Sequence, residues 1–230
     1  MDKLSLRTTN EIAKVIDQTL LKADATNEDI QKLICQAIEL SFWGICINPC
    51  HVRFARSYLH TITDRVELMP KIITVINFPL GAGTLGGIEV EAREAIALGA
   101  DELDMVMNIS AFKSMEYSFV EDGIRAVVSE AGGHIVKVII ETAILTTDEI
   151  VRASKIAKKA GADFIKTSTG YSKRGASVED VKTIREAVKM DIKASGGIKT
   201  YHKFKAMIDA GATRIGTSSG HVILKDSSYE

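Results

Sequence analysis

Lysine is an uncommon choice for the interior of a short apolar strand, because burying an ammonium is costly unless it is paired or neutralised. Two such lysines stand in this chain, in Phe164-Ile165-Lys166-Thr167-Ser168-Thr169-Gly170 and in Ile192-Lys193-Ala194-Ser195-Gly196-Gly197. A lysine so placed either points out of the fold or is a reactive amine with a lowered pKa. Strand alternation puts Lys166 and Ser168 on one face, and likewise Glu102, Asp104 and Asn108 on another strand. If the two lysines occupy neighbouring strands, their backbones lie roughly 5 Å apart. Two ammonium groups that close repel, so one is expected to lose its proton near neutral pH and to attack a carbonyl as a Schiff-base nucleophile. Asp104 would pair with the remaining ammonium or carry protons to and from the carbinolamine. A lone lysine would be read as facing outwards; two lysines and an aspartate at one level favour chemistry.

The elements that must hold these side chains are legible along the rest of the chain. Short apolar runs at 15–20, 44–48, 72–78, 102–108, 135–141, 164–169, 192–195 and 214–217 alternate with stretches of helical period. Such alternation implies repeated strand–helix units around a parallel sheet. Residues 28–40, for example, place Ile30, Leu33, Ile34, Ala37 and Ile38 on one helical face. Capping boxes open several helices: Thr26 with Asp29, Thr146 with Glu149, and Ser177 with Asp180. The most informative pattern is an internal repeat. Leu98-Gly99-Ala100-Asp101, Ala160-Gly161-Ala162-Asp163 and Ala210-Gly211-Ala212-Thr213 each close a helix and precede a strand, the glycine suiting a left-handed helix stop. Five residues beyond these glycines stand Asp104, Lys166 and Gly216. Equivalent turns would set the three at one level, facing one side. The fold class predicted is α/β, a single (β/α)8 TIM barrel over residues 1–230 with a short polar tail from about residue 225 that contains Tyr229. An open doubly wound sheet is the alternative.

In such a barrel the active site lies at the C-terminal ends of the strands. Gly196-Gly197-Ile198-Lys199 ends the seventh strand and Gly216-Thr217-Ser218-Ser219-Gly220 the eighth. Glycines let backbone approach an anion closely, and a helix starting near His221 would aim free N–H groups at it. Phosphate is therefore the expected ligand of these loops, with Gly170 completing the cradle. Lys137 sits near the start of its strand, at the floor, where residues usually serve stability, and is left out of the site; Glu141 is a weak candidate at the upper end. Cys46 shares parity with Asn48 and, if it lines the site, would be open to electrophilic aldehydes. Gly81-Ala82-Gly83-Thr84-Leu85-Gly86 matches a dinucleotide fingerprint. However, Pro79 precedes it, strands continue at barrel spacing, and Asp104 lies inside its strand, so a nicotinamide site is not expected.

Composition narrows the partners. Lysine plus arginine (29) nearly balance aspartate plus glutamate (30), so no basic face for nucleic acid is implied. No apolar run approaches the length that spans a bilayer, and residues 1–9 lack the apolar segment of a signal peptide. Three unpaired cysteines, Cys35, Cys46 and Cys50, argue against a disulfide framework and for a reducing, cytoplasmic compartment. No second Cys/His cluster joins Cys50-His51, so a zinc site is not expected.

Taken together, several segments resemble deoxyribose-phosphate aldolases. They are Ile16-Asp17-Gln18-Thr19-Leu20-Leu21, Ile45-Cys46-Ile47-Asn48-Pro49, Asn77-Phe78-Pro79-Leu80-Gly81, Glu102-Leu103-Asp104 and Lys137-Val138-Ile139-Ile140-Glu141-Thr142, followed by the two lysine segments and Gly216-Thr217-Ser218-Ser219. The resemblance covers nearly the whole chain in order. It implies a class I aldolase that splits 2-deoxyribose 5-phosphate into glyceraldehyde 3-phosphate and acetaldehyde, with neither metal nor other cofactor. By that resemblance Lys166 is the Schiff-base lysine, Lys193 the neighbour that lowers its pKa, and Asp104 the proton relay. The same resemblance makes Gly196, Gly197, Gly216, Ser218 and Ser219 the phosphate site, which Gly170 is expected to complete. Gln18 departs from the pattern, many relatives carrying histidine there, and the loop Tyr171-Ser172-Lys173-Arg174 is more basic than usual. The expected partner is a phosphorylated sugar, with no nucleic acid or membrane, in a homo-oligomer of two or four copies. Alternatives are a lysine aldolase for another phosphorylated substrate, or a silent barrel that only binds sugar phosphates.

Overall fold

The structure, a computed structural model, describes residues 8–227. In chain order the elements are α1 (Thr9–Ala13), β1 (Ile16–Leu20), α2 (Asn27–Glu39), β2 (Gly44–Ile47), α3 (Val52–Ile62), β3 (Lys71–Ile76), α4 (Leu85–Ala97) and β4 (Glu102–Val106). Then follow α5 (Ile109–Lys113), α6 (Tyr117–Glu130), β5 (Ile135–Ile139), α7 (Thr147–Lys159), β6 (Phe164–Lys166), α8 (Val178–Ala187), β7 (Asp191–Ser195), α9 (Tyr201–Ala210), β8 (Arg214–Thr217) and α10 (Gly220–Ser227). Each strand pairs in parallel with the next, and β8 returns to β1 with Ile16 opposite Ile215, so the sheet closes on itself. The open-sheet alternative is excluded by that pairing. Residues 225–227 finish α10, whereas 228–230, including Tyr229, lie outside the described residues.

Thr26, Thr146 and Ser177 form reciprocal capping boxes with Asp29, Glu149 and Asp180, each cap worth about 1 kcal/mol. Most strands stop short of the apolar runs at the C-terminal side; β6, for instance, ends at Lys166. Beyond those ends the chain makes isolated bonds instead of a ladder, as from Thr142 N–H to the Thr167 carbonyl (2.9 Å) and from Thr167 N–H to the Lys193 carbonyl (3.0 Å). Hydrophobicity does not distinguish the two conditions, because both are buried.

The internal repeat has a physical task. Gly99, Gly161 and Gly211 adopt φ of 104°, 92° and 113°, a region that a Cβ disfavours. Two residues later a side chain caps the start of the preceding strand: Asp101 accepts from Ile72 N–H (2.7 Å), Asp163 from Val136 N–H (2.8 Å), and Thr213 from Ile192 N–H (3.2 Å). Each repeat thereby locks an even strand to the odd strand before it. The register follows, with Ile73 opposite Glu102, Lys137 opposite Phe164, and Lys193 opposite Arg214.

That register stacks the inward side chains in layers from alternate strands, as closed barrels of this size do. Gly44, Glu102, Phe164 and Arg214 lie lowest; Asp17, Ile73, Lys137 and Lys193 come next; Cys46, Asp104, Lys166 and Gly216 lie above them. Asp104, Lys166 and Gly216 share a level, as the repeat predicts, whereas Lys193 belongs to the level beneath. Outside the sheet an apolar shell of Ile, Val, Leu and Ala joins strands to helices. Each buried aliphatic side chain there contributes about 1.5–3 kcal/mol. Inside, Cys46, Ile73 and Val75 make an apolar stretch of wall, and Phe164 adds a ring at the lowest level. Most of the other inward side chains are charged.

Candidate active site

Asp104 is fully buried and contacts three lysines. Lys137 Nζ lies 2.8 Å from its Oδ1, while Lys166 Nζ (2.8 Å) and Lys193 Nζ (2.7 Å) both reach Oδ2. Lys193 is also paired with Asp17 Oδ2 at 2.5 Å, in an orientation that is not a hydrogen bond. Lys137 also pairs with Glu102 Oε2 at 2.5 Å. Below them Arg214 bridges Asp17 Oδ1 (3.1 Å) and Glu102 Oε2 (3.3 Å), with its guanidinium 4.3 Å from the Trp43 ring centroid. The Trp43 indole donates to Glu102 Oε1 (2.8 Å). Four basic groups thus face three carboxylates in a buried space.

The electrostatic consequences differ by residue. Burial opposes ionisation of Asp104, but Lys137, Lys166 and Lys193 outweigh it and hold its pKa well below the carboxylate norm. Asp17 behaves likewise: burial raises its pKa, and Lys193 and Arg214 lower it further than burial lifts it. Burial would strip Lys193 of its proton, yet Asp104 and Asp17 prevail and raise its pKa above the ordinary lysine value. Lys193 is therefore a firm ammonium, clasped by two carboxylates. Lys166 has one carboxylate partner and is the lysine of this group that lines a cavity.

That cavity, of about 320 Å³, lies at the C-terminal ends of β1, β6, β7 and β8. Lys166, Gly170, Tyr171, Ser195, Gly196, Gly197, Gly216 and Ser218 line it, together with the basic Lys22 and Lys199. Gly196 and Gly197 have φ of 89° and 69°. A Cβ on Gly175 would sit 2.0 Å from the Gly196 carbonyl oxygen, so the loop after β6 lies directly on the loop after β7. Hydroxyls tie the rim together: Thr217 Oγ1 donates to the Ile198 carbonyl (2.6 Å), and Ser195 Oγ to the Ser168 carbonyl (2.6 Å). Tyr171 spans the mouth, its hydroxyl donating to the Leu21 carbonyl (2.6 Å) and its ring meeting Phe78 edge-on at 5.5 Å. A larger hollow of about 590 Å³ lies outside the barrel against α6 and α7, but none of the buried ionised residues lines it.

A family model of DeoC/LacD family aldolases matches residues 12–227. The chain belongs to the DeoC/LacD aldolase family. A protein named deoxyribose-phosphate aldolase from an Exiguobacterium species is 50% identical over 225 residues, covering 95% of this chain and 100% of that one. Another of that name from Thermococcus kodakarensis is 50% identical over 224 residues, covering 96% and 98%. Among solved structures, the tetrameric deoxyribose phosphate aldolase from Aeropyrum pernix superposes with a TM-score of 0.88 at 31% identity, over 96% of this chain and 92% of that one.

Within this member of the family the structure gathers Lys166, Lys193 and Asp104 as the sequence predicts, and brings Gly170, Gly196, Gly197, Gly216 and Ser218 to one cavity. Ser219 adjoins Ser218, its N–H held by Thr217 Oγ1 (2.9 Å). Gly220 N–H is taken by Gln18 (3.0 Å), so the start of α10 offers fewer free donors than expected. Two expectations need correction. Lys137 is not on the floor: it stands level with Lys193 and grips Asp104. The interior also places a carboxylate oxygen between Lys166 and Lys193, so the two do not face each other as bare ammonium groups. Arg174 belongs to Asp180, which it holds by two nitrogens (2.5 and 3.1 Å), and this leaves it committed away from the rim. Cys46 points inward, but it is buried 3.9 Å from Asp104, and burial raises its thiol pKa. Glu141, at a strained φ of 57°, accepts the Thr169 N–H (3.1 Å) and hydroxyl (2.5 Å) and so fixes the segment before Gly170. Gly81 and Gly83 serve the turn into α4, where a Cβ at Gly81 would strike the Met107 carbonyl and Gly83 N–H donates to Asn77 (2.7 Å). Among the described residues no cluster of three or more His, Cys, Asp or Glu could hold a metal ion, and no helix is long and apolar enough to cross a membrane.

Asp17, Glu102, Lys137 and Arg214 are participants that sequence reasoning did not assign to the site. The signal was present for Asp17, a carboxylate within a strand beside Ile16. Its partner Arg214, 197 residues away, is visible only after the ring closes.

Proposed function

We propose that the chain is a class I aldolase that reversibly cleaves 2-deoxyribose 5-phosphate into glyceraldehyde 3-phosphate and acetaldehyde through a Schiff base on Lys166. The observation that carries this reading is the sharing of Asp104 Oδ2 between Lys166 and Lys193, with only Lys166 opening to the cavity. When Lys166 acts as a free amine, three cations face three carboxylates in the interior, and Lys193 keeps its proton because two carboxylates hold it.

The Lys166 amine attacks the C1 aldehyde of the open-chain sugar to give a carbinolamine, whose hydroxyl leaves as water after protonation. Asp104 lies 2.8 Å from the reacting nitrogen and passes that proton, while the Lys193 ammonium stays beside it as a fixed positive charge. The iminium then draws the electrons of the C2–C3 bond as the C3 hydroxyl loses its proton. Glyceraldehyde 3-phosphate departs, and an enamine remains on Lys166. Protonation at C2 and hydrolysis free acetaldehyde and the amine. The positive-φ backbone of Gly196 and Gly197, with Gly170, Gly216, Ser218 and Ser219, holds the phosphate, and Lys22 and Lys199 add positive charge at the rim.

Borohydride added with 2-deoxyribose 5-phosphate should leave a stable adduct on Lys166, read by peptide mass, and no adduct in Lys166→Leu. Labelling that persists in the variant would refute the assignment. A panel of phosphorylated aldehydes separates this substrate from related ones. We further propose a homo-oligomer in a cytoplasmic setting, supported by the tetrameric relative and by the three free cysteines; light scattering tests the first.

A further inference from the structure

Gln18 lies on β1 at 3% exposure and does not line the cavity. Its amide is nonetheless fully used. Oε1 accepts Gly220 N–H (3.0 Å), while Nε2 donates to Gln36 Oε1 on α2 (2.9 Å) and to the Ser218 carbonyl (3.3 Å). Turning the amide over would set Oε1 against two acceptors and Nε2 against a donor, so the orientation is fixed. The two backbone groups it holds flank Ser219. Space there is minimal: a Cβ on Gly220 would come within 2.7 Å of both Gln18 Oε1 and Phe42. From this turn the bonding continues through Thr217, which accepts from Ser219 N–H and donates to Ile198 beside Gly197. One chain of hydrogen bonds therefore runs from α2 through Gln18 to both loops of the anion cradle.

We propose that Gln18 is a positioning residue for the substrate's phosphate: it sets the turn at 218–220 and thereby the affinity of the rim for a phosphomonoester, without touching the reacting carbons. This rests on the phosphate site proposed above. Glutamine suits the position because its one side chain both donates and accepts there, and an unsatisfied buried partner is costly. Gln18→Met keeps the length and removes both functions. Gln18→Glu keeps the shape, loses the donor, and turns a carboxylate towards two acceptors.

The test compares 2-deoxyribose 5-phosphate with unphosphorylated 2-deoxyribose, and measures inhibition by inorganic phosphate. In both variants KM for the phosphorylated sugar and Ki for phosphate should rise at least about tenfold, the order expected from one buried polar group left unpartnered. The kcat should hold within about threefold, and kcat/KM for 2-deoxyribose should be unchanged, because binding lost equally in ground and transition states moves KM alone. An equal loss on both sugars, or an unchanged phosphate Ki, would overturn the proposal. If the wild type turns over neither sugar, the proposed function fails, while phosphate affinity measured by calorimetry still decides the role of Gln18. Should Gln18→Met not fold, Gln36→Ala releases the amide from α2 and should show the same split at smaller amplitude; no split there counts against the idea.

Discussion

Inside the barrel, Asp17, Glu102 and Asp104 meet Lys137, Lys166, Lys193 and Arg214 at ion-pair distance; at the rim above them, Gly170, Gly196 and Gly197 present backbone. The interior carries its own counter-ions. Its charges are arranged in advance, so that reactivity depends on which proton sits where. The rim is built the other way, with most of its own donors spent on internal ties and its backbone left open to a ligand that brings charge with it. On the proposed function, affinity and reactivity are thus housed in separate layers that meet at Lys166.

The sharpest way to break this division is Lys166→Leu. Removing a nucleophile should lower kcat by roughly four to six orders of magnitude. Because it also leaves three cations facing three carboxylates, the melting temperature should hold or rise; a marked fall would mean that Lys166 is a structural member of the network. Asp104→Leu should do the opposite to stability, since it strips three buried lysines of a shared partner. An unfolding free energy lower by about 3–5 kcal/mol is expected, read by denaturant titration. At the rim, Gly197→Ala places a Cβ at φ 69°, a strain of about 1–2 kcal/mol. It should raise KM for the phosphorylated sugar about tenfold with kcat for 2-deoxyribose unmoved; a fall in both would erase the separation of layers.

The smallest effect expected is in pH. Asp17 and Asp104 are held below 3.8, so the stability they contribute is complete above 3.8 and is lost as pH falls through their lower folded values. Lys193 is raised above 10.5, so its contribution is complete below 10.5 and is lost as pH rises through its higher folded value. Asp17, Asp104 and Lys193 should therefore add no slope to the melting temperature between about pH 5 and 9, and Asp17→Asn should flatten the acid limb. An acid limb of undiminished slope in that variant would place the titration elsewhere.

How much of this was readable beforehand depends on distance along the chain. The glycine-stop repeat put Asp104, Lys166 and Gly216 on one level because each lies a fixed, short step beyond its turn, and local geometry alone sets that step. Three capping boxes were legible for the same reason. Lys137 was misjudged because its place near the strand start suggested the floor, whereas the stagger of a closed sheet lifts it beside Lys193. The basic character of the loop 171–174 was legible, but not that Asp180, six residues after Arg174 and at the first turn of α8, claims it. The bonds of Gln18 to residues some 200 positions away could not be read from any window of sequence.

The capping bonds of Asp101, Asp163 and Thr213 also dictate an order of assembly. They join residues only 29, 27 and 21 positions apart, so each pair of strands can form early and alone, at small loop-closure cost. The contacts of Asp104 span 33, 62 and 89 positions, and that of Arg214 with Asp17 spans 197. The fourth pair, β1 with β2, carries Trp43 at the corresponding place, and its indole reaches across the floor to Glu102. Loop-closure cost therefore favours strand pairs first, and the pairing of Arg214 with Asp17 requires that β8 meet β1. A chain with every helix formed but its ring still open would lack the Asp17–Arg214 pair that completes the charged centre.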